Sequence, residues 1–92
     1  MNRSNLIDNL SNRLPYMKKS EVGEASLLLI DLISNTLYEN DRVEVRGFGT
    51  FTIRQRAARL ARNPKTGSSI ALSSKFYPYF RPSKLLRQAV NN

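Results

Sequence analysis

Cysteine, histidine and tryptophan are all absent from the 92 residues of the chain. Without Cys or His there is no disulfide framework, no zinc site of the usual ligand types, no thiol nucleophile and no imidazole base, so most enzyme chemistries lose their central residue. The Asp and Glu residues do not gather at metal-ligand spacing either, and no cofactor is expected. No apolar run reaches the ~18 to 20 residues needed to span a bilayer, and Met1, Asn2, Arg3, Ser4 and Asn5 open no signal-peptide core. The expectation is a small, soluble, intracellular domain that performs no chemistry and has neither a membrane nor a small molecule as its partner.

Acid is also scarce, and unevenly so. The 15 Lys and Arg residues against 7 Asp and Glu give a net charge of +8. Residues 1–41 carry −2, whereas residues 42–92 carry +10, and no acid follows Glu44. A solubilising surface normally mixes both signs. A half with one sign alone sets up a field that attracts a polyanion, and nucleic acid is the leading candidate.

The first half reads as helical. Ser4 is a candidate cap for a helix with Leu6, Ile7, Leu10 and Leu14 on one stripe, ended by Pro15. Ser20 is a second cap candidate, for a helix that runs to about Tyr38 and closes at Asn40, a residue that tolerates left-handed backbone. Six of the seven residues from Leu27 to Ile33 are apolar, broken only by Asp31. That band is wider than the single stripe of a surface helix, so it needs two coverings: the chain's own sheet and a second subunit.

From Arg42 the period changes to two. Val43 and Val45 face one side, with Arg42, Glu44 and Arg46 on the other; Gly47-Phe48-Gly49 then makes a tight connection to a strand with Phe51 and Ile53 inward. Residues 54–75 lose the core signal. Arg54, Arg56, Arg59, Arg62, Lys65 and Lys75 alternate with small or polar residues about a turn at Asn63-Pro64-Lys65-Thr66-Gly67. Such a stretch is either a linker or a two-stranded ribbon. Phe76 to Phe80 resumes order as a strand that Pro78 assigns to a sheet edge. After Arg81, Pro82 and Ser83 a last helix carries Leu85, Leu86, Ala89 and Val90 on its apolar side.

A narrow basic ribbon suits a DNA groove, and an apolar tip residue can wedge between base pairs and kink the duplex. Pro64 fits that role because its ring is rigid and it has no N–H donor to leave unsatisfied. These residues resemble a family: Arg46-Gly47-Phe48-Gly49-Thr50-Phe51, then Arg62-Asn63-Pro64-Lys65-Thr66-Gly67, then Phe80-Arg81-Pro82 look like the bacterial HU and integration host factor proteins over nearly the whole chain. The resemblance implies an α+β fold in which helices and a small antiparallel sheet form an intertwined dimer body and a long β-ribbon arm binds the minor groove. Within it, Pro64 is the intercalating wedge and Arg54, Arg56, Arg59, Arg62, Asn63, Lys65 and Lys75 line the arm.

Val43-Glu44-Val45-Arg46 resembles the β subunit of integration host factor more than HU or the α subunit. Arg46 is expected to give sequence preference, with Glu44 orienting it, while Arg3, Ser4, Arg42, Arg81, Ser83, Lys84 and Arg87 contact phosphates along the flank. The expected organisation is one domain over 1–92: a dimerising helical part over 1–41, a body sheet over 42–53 and 76–82, an arm over 54–75 and a C-terminal helix over 83–92. Double-stranded DNA is the expected partner, in the cytoplasm at the nucleoid. The dimer pairs with an α-like chain or with itself. Two rivals are an HU-like homodimer with little sequence preference and an RNA- or ribosome-associated basic protein. Ala61 and Ser83 stand where the family usually has Gly, and Leu60 has no assigned role.

Overall fold

The computed structural model describes residues 1–91; Asn92, the last residue of the expected final helix, lies outside the described residues. In chain order the elements are α1 (Arg3–Arg13), α2 (Lys19–Tyr38), β1 (Val43–Val45), β2 (Gly49–Arg56), β3 (Arg59–Arg62), β4 (Ser69–Leu72), β5 (Lys75–Pro82) and α3 (Lys84–Val90). They fall into two compact units, Met1–Asn35 and Thr36–Asn92. No helix among the described residues is long and apolar enough to cross a membrane.

In the first unit the cap of α1 is Asn2, not Ser4. The Asn2 side chain accepts from the Asn5 amide at 2.9 Å, and the Asn5 side chain accepts from the Asn2 amide at 3.2 Å. This reciprocal pair satisfies two donors at once, which a Ser4 cap inside the helix cannot do. Similarly, α2 begins before Ser20, because the Lys18 carbonyl already accepts from the amides of Glu21 and Val22. The two helices meet where Val22 is buried, and a side chain on Gly23 would lie 3.9 Å from Ile7. An exposed ion pair, Lys19 to Asp8 at 2.6 Å, spans them; at that exposure it is worth ~0 to 1 kcal/mol.

Apart from Val22, no large apolar side chain among the described residues is fully buried. On α2, Leu28, Leu29 and Leu32 are 70%, 57% and 61% exposed, and Leu27 and Ile30 are also exposed. The wide apolar band read in the sequence is therefore an open surface of this chain. Together with Met1, Leu6 and Leu10 of the α1 segment, Leu29 and Ile30 line an apolar groove.

The second unit opens with the end of α2. Asn40 takes a left-handed φ of 62°, and the amides of Asn40 and Asp41 bond to the carbonyls of Leu37 and Thr36, which satisfies the last carbonyls of the helix. Strands β1, β2 and β5 then form an antiparallel sheet in that order, so the Pro78-bearing β5 is an edge, as expected. Gly47 at φ 82° turns the chain between β1 and β2. On one face Phe48, Phe51 and Phe80 pack with ring centroids 4.8 to 6.5 Å apart. Buried Gly49 lies under this seam: a Cβ there would strike the Phe80 ring and come within 2.6 Å of the Arg81 carbonyl. Ser83 caps α3, accepting from the Leu86 amide at 3.1 Å, while its own amide donates to the Phe48 carbonyl at 2.8 Å. Leu86 is half-buried, but Leu85 and Val90 of the expected apolar side are exposed.

Candidate nucleic-acid interface

Residues 54–75 adopt the ribbon alternative rather than the linker. From Gly49↔Pro82 through Arg56↔Lys75, and again from Arg59↔Leu72 to Arg62↔Ser69, the pairs count back from the tip with no residue gained or lost on either strand. The ladder is interrupted at one level, where Ala57 and Ala58 lie across from Ser73 and Ser74. The ribbon thus has a root continuous with the three-stranded sheet and a separate two-stranded tip.

Register decides which side chains share a face, since residues directly opposite in a pair project the same way. At the root, Thr50, Thr52, Arg54 and Arg56 of β2 share a face with Arg81, Tyr79, Tyr77 and Lys75 of β5, and Glu44 of β1 joins them opposite Thr50. The opposite face carries Val43, Phe51, Ile53, Phe76, Pro78 and Phe80. Four of the cationic residues expected to bind DNA are therefore gathered on one side: Arg54, Arg56, Lys75 and Arg81. The guanidinium of Arg54 stacks 3.7 Å from the centre of the Tyr79 ring, and that of Arg56 lies 5.7 Å from Tyr77.

At the tip, Arg59 and Arg62 leave the ribbon on opposite faces, because they are three residues apart on one strand. Leu60 shares the Arg62 face and is 75% exposed. Ala61 occupies an ordinary strand position opposite Ile70 and has no positive φ, so the structure at this site does not require glycine. The turn is tied by Asn63. Its amide donates to the Ser68 carbonyl and its carbonyl accepts from the Gly67 amide, both at 2.8 Å, while its side chain accepts from the Lys65 amide at 2.9 Å. Gly67 supplies the left-handed φ of 73°. Thr66 and Ser68 hydroxyls bond at 2.7 Å. These bonds hold Pro64 exposed at the end of the ribbon, with Lys65 beside it.

The Glu44 and Arg46 pair departs from expectation. β1 stops at Val45, and Arg46 belongs to the turn that Gly47 creates, not to the outward strand face. Among the described residues no ion pair joins Glu44 to Arg46, and the single ion pair is Lys19 to Asp8. The remaining expected phosphate contacts are scattered. Arg3 and Ser4 form the first turn of α1, Arg42 precedes β1 with its amide on the Asp41 carboxylate at 2.7 Å, and Lys84 and Arg87 are exposed on α3. Sequence reading missed Tyr77 and Tyr79, grouped there with the strand core; the alternation Arg-x-Arg against Tyr-x-Tyr was the available signal.

The family model described as Bacterial DNA-binding protein matches residues 1–91. Among curated relatives, the integration host factor subunit beta of Colwellia psychrerythraea is 42% identical over 91 residues, 99% of this chain and 96% of that protein. That of Xanthomonas campestris is 42% identical over 92 residues, 100% of this chain and 89% of the relative. Among solved structures, Anabaena HU in a cocrystal with DNA is similar at a TM-score of 0.87 and 30% identity, covering 98% of this chain and 97% of that one. An HU variant from Thermotoga maritima shares the fold at a TM-score of 0.72 and 23% identity, covering 98% and 99% of the two chains. With a ribbon of this register, an Asn63-tied tip and relatives matched along their length, the chain belongs to the HU and integration host factor family of bacterial DNA-binding proteins.

Proposed function

We infer that the chain is an architectural DNA-bending protein of the integration host factor β type. The observation that carries this reading is the ribbon itself: one face of its root gathers Arg54, Arg56, Lys75 and Arg81, and its tip presents Pro64 on a turn closed by Asn63. The arm lies in the minor groove, where Arg54, Arg56, Arg59, Arg62, Lys65 and Lys75 meet the negative potential. Pro64 enters a base step. Unstacking that step costs a few kcal/mol, and the bend offsets it by bringing Arg3, Ser4, Arg42, Arg81, Ser83, Lys84 and Arg87 to flanking phosphates. Arg46 at the β1–β2 turn, with Glu44 nearby, gives sequence preference.

The protein acts as a dimer, with the exposed band of α2 and the apolar groove beside it covered by a second subunit, either an α-like chain or another copy. Burying side chains such as Leu28 and Leu29 is worth ~1.5 to 3 kcal/mol each, enough to make assembly a condition of folding. The similarity to integration host factor β chains supports an α-like partner and a place on the bacterial nucleoid.

The test is a bend-angle measurement by energy transfer across a duplex. Wild-type protein is expected to bend DNA, with affinity falling steeply as salt rises. Pro64→Ala is expected to bind within about tenfold of wild type while bending less, the wedge being worth a few kcal/mol at most. An unchanged angle leaves Pro64 as a turn residue only, and binding independent of salt overturns the wrapping reading.

A further inference from the structure

We propose that Tyr79 and Tyr77 are positioning residues for DNA binding: their rings form a stacked ladder that holds the guanidinium groups of Arg54 and Arg56 at fixed places on the ribbon root. The inference rests on the DNA-bending reading above and adds residues that the basic pattern alone does not single out.

The geometry is repeated, which distinguishes it from one chance contact. Arg54 is directly opposite Tyr77 yet lies over Tyr79, 3.7 Å from the ring centre; Arg56 is directly opposite Lys75 yet lies over Tyr77, at 5.7 Å. Each arginine leans one pair toward the root and rests on the tyrosine found there. Alternate strand residues are ~6.8 Å apart, so the two guanidinium groups form a row with a regular step. The stack tightens toward the root, where Tyr79 is half-buried, and loosens toward the arm, where Tyr77 is 36% exposed.

The chemistry favours arginine in this arrangement. A guanidinium is planar and weakly hydrated, so it can lie flat on a ring while its edge donors stay free for phosphate oxygens. Both arginines are exposed and have no acid partner among the described residues, so nothing but the rings restricts them. An exposed arginine loses rotamer freedom on gripping a phosphate; one already stacked loses less. Lysine, a point charge on a flexible stem, gains little from the same ring edge geometry.

The experiment compares full-length Tyr79→Leu, Tyr79→Phe, Arg54→Ala, Arg54→Lys and the Arg54→Ala/Tyr79→Leu double variant. A salt titration of binding to a random-sequence duplex is read with each. Tyr79→Leu is expected to weaken binding roughly threefold to tenfold, with a shallower salt slope by up to about 0.9 per chain, and Tyr79→Phe to retain the wild-type values. The double variant should lose no more than Arg54→Ala alone, since the ring acts through the guanidinium. In DNA-free protein, the Arg54 side-chain protons should show a ring-current shift that Tyr79→Phe keeps and Tyr79→Leu abolishes. If Tyr79→Leu fails to fold, Arg54→Lys decides: it should weaken binding as the loss of a stacked fork does, and wild-type affinity overturns the proposal. Unchanged affinity and slope in a folded Tyr79→Leu, or additive losses in the double variant, also overturn it. If wild-type protein itself binds duplex without salt dependence, the DNA-wrapping reading has failed instead, while the ring-current shift still reports on the stack.

Discussion

The helical unit and the ribbon share a deficit and differ in how they expose it. Neither has enough interior: α1 and α2 bury one large side chain completely, and the ribbon beyond the Phe48, Phe51 and Phe80 seam buries none. Yet the helices present Leu27, Leu28, Leu29, Ile30 and Leu32, whereas the ribbon presents Arg54, Arg56, Arg62, Lys65 and Lys75. Apolar surface is relieved by another apolar surface, and cationic surface by a polyanion. An incomplete fold is thus not one property. The residue type left exposed specifies which class of molecule completes it.

The largest effect is expected where the helices are left open. Leu28→Glu with Leu29→Glu should cost assembly about 3 to 6 kcal/mol, seen as dissociation and loss of helical signal in sedimentation and circular dichroism. If the variant stays assembled, the contrast between the two surfaces collapses. A smaller loss, about 1 to 3 kcal/mol in thermal unfolding, is expected from Gly49→Ala, because a methyl group there meets Phe80 and the Arg81 carbonyl on the neighbouring strand. That variant sharpens the comparison by testing the one seam that the β unit closes for itself. Ser83→Ala should cost about 1 kcal/mol by removing the α3 cap while leaving the Ser83 amide bond to Phe48 in place. A much larger loss would give α3 a weight in this unit that its exposed Leu85 and Val90 do not indicate.

Much of this was legible in the sequence where a single residue type has one physical solution. Asn40 ends α2 in left-handed backbone, Ser83 caps α3, Pro78 falls on an edge strand and the Asn-Pro-Lys-Thr-Gly run makes a turn. Where two residues competed for one role, the sequence was less decisive. Ser4 is a good cap by type, but Asn2 and Asn5 cap each other reciprocally, and a pair is harder to see than a single preferred residue. Arg46 was read as continuing the alternation of Val43 and Val45; the left-handed Gly47 takes it off the strand one residue early. The Arg54–Tyr79 stack needed register, which strand composition does not contain. It was nonetheless accessible by counting back from the tip, since Asn63 and Ser68 close the turn and every later pair follows from them.

The interruption between root and tip has a consequence of its own. Ala57, Ala58, Ser73 and Ser74 break the ladder on both strands at one level without shifting the count, and none of them has a side chain large enough to lock the junction. Twist in a β-ribbon is passed along by its cross-strand pairs. Across this level only the two covalent chains connect the pieces, so the tip behaves as a universal joint: its length and reach are inherited from the root, but its angle of entry is chosen at the surface it meets.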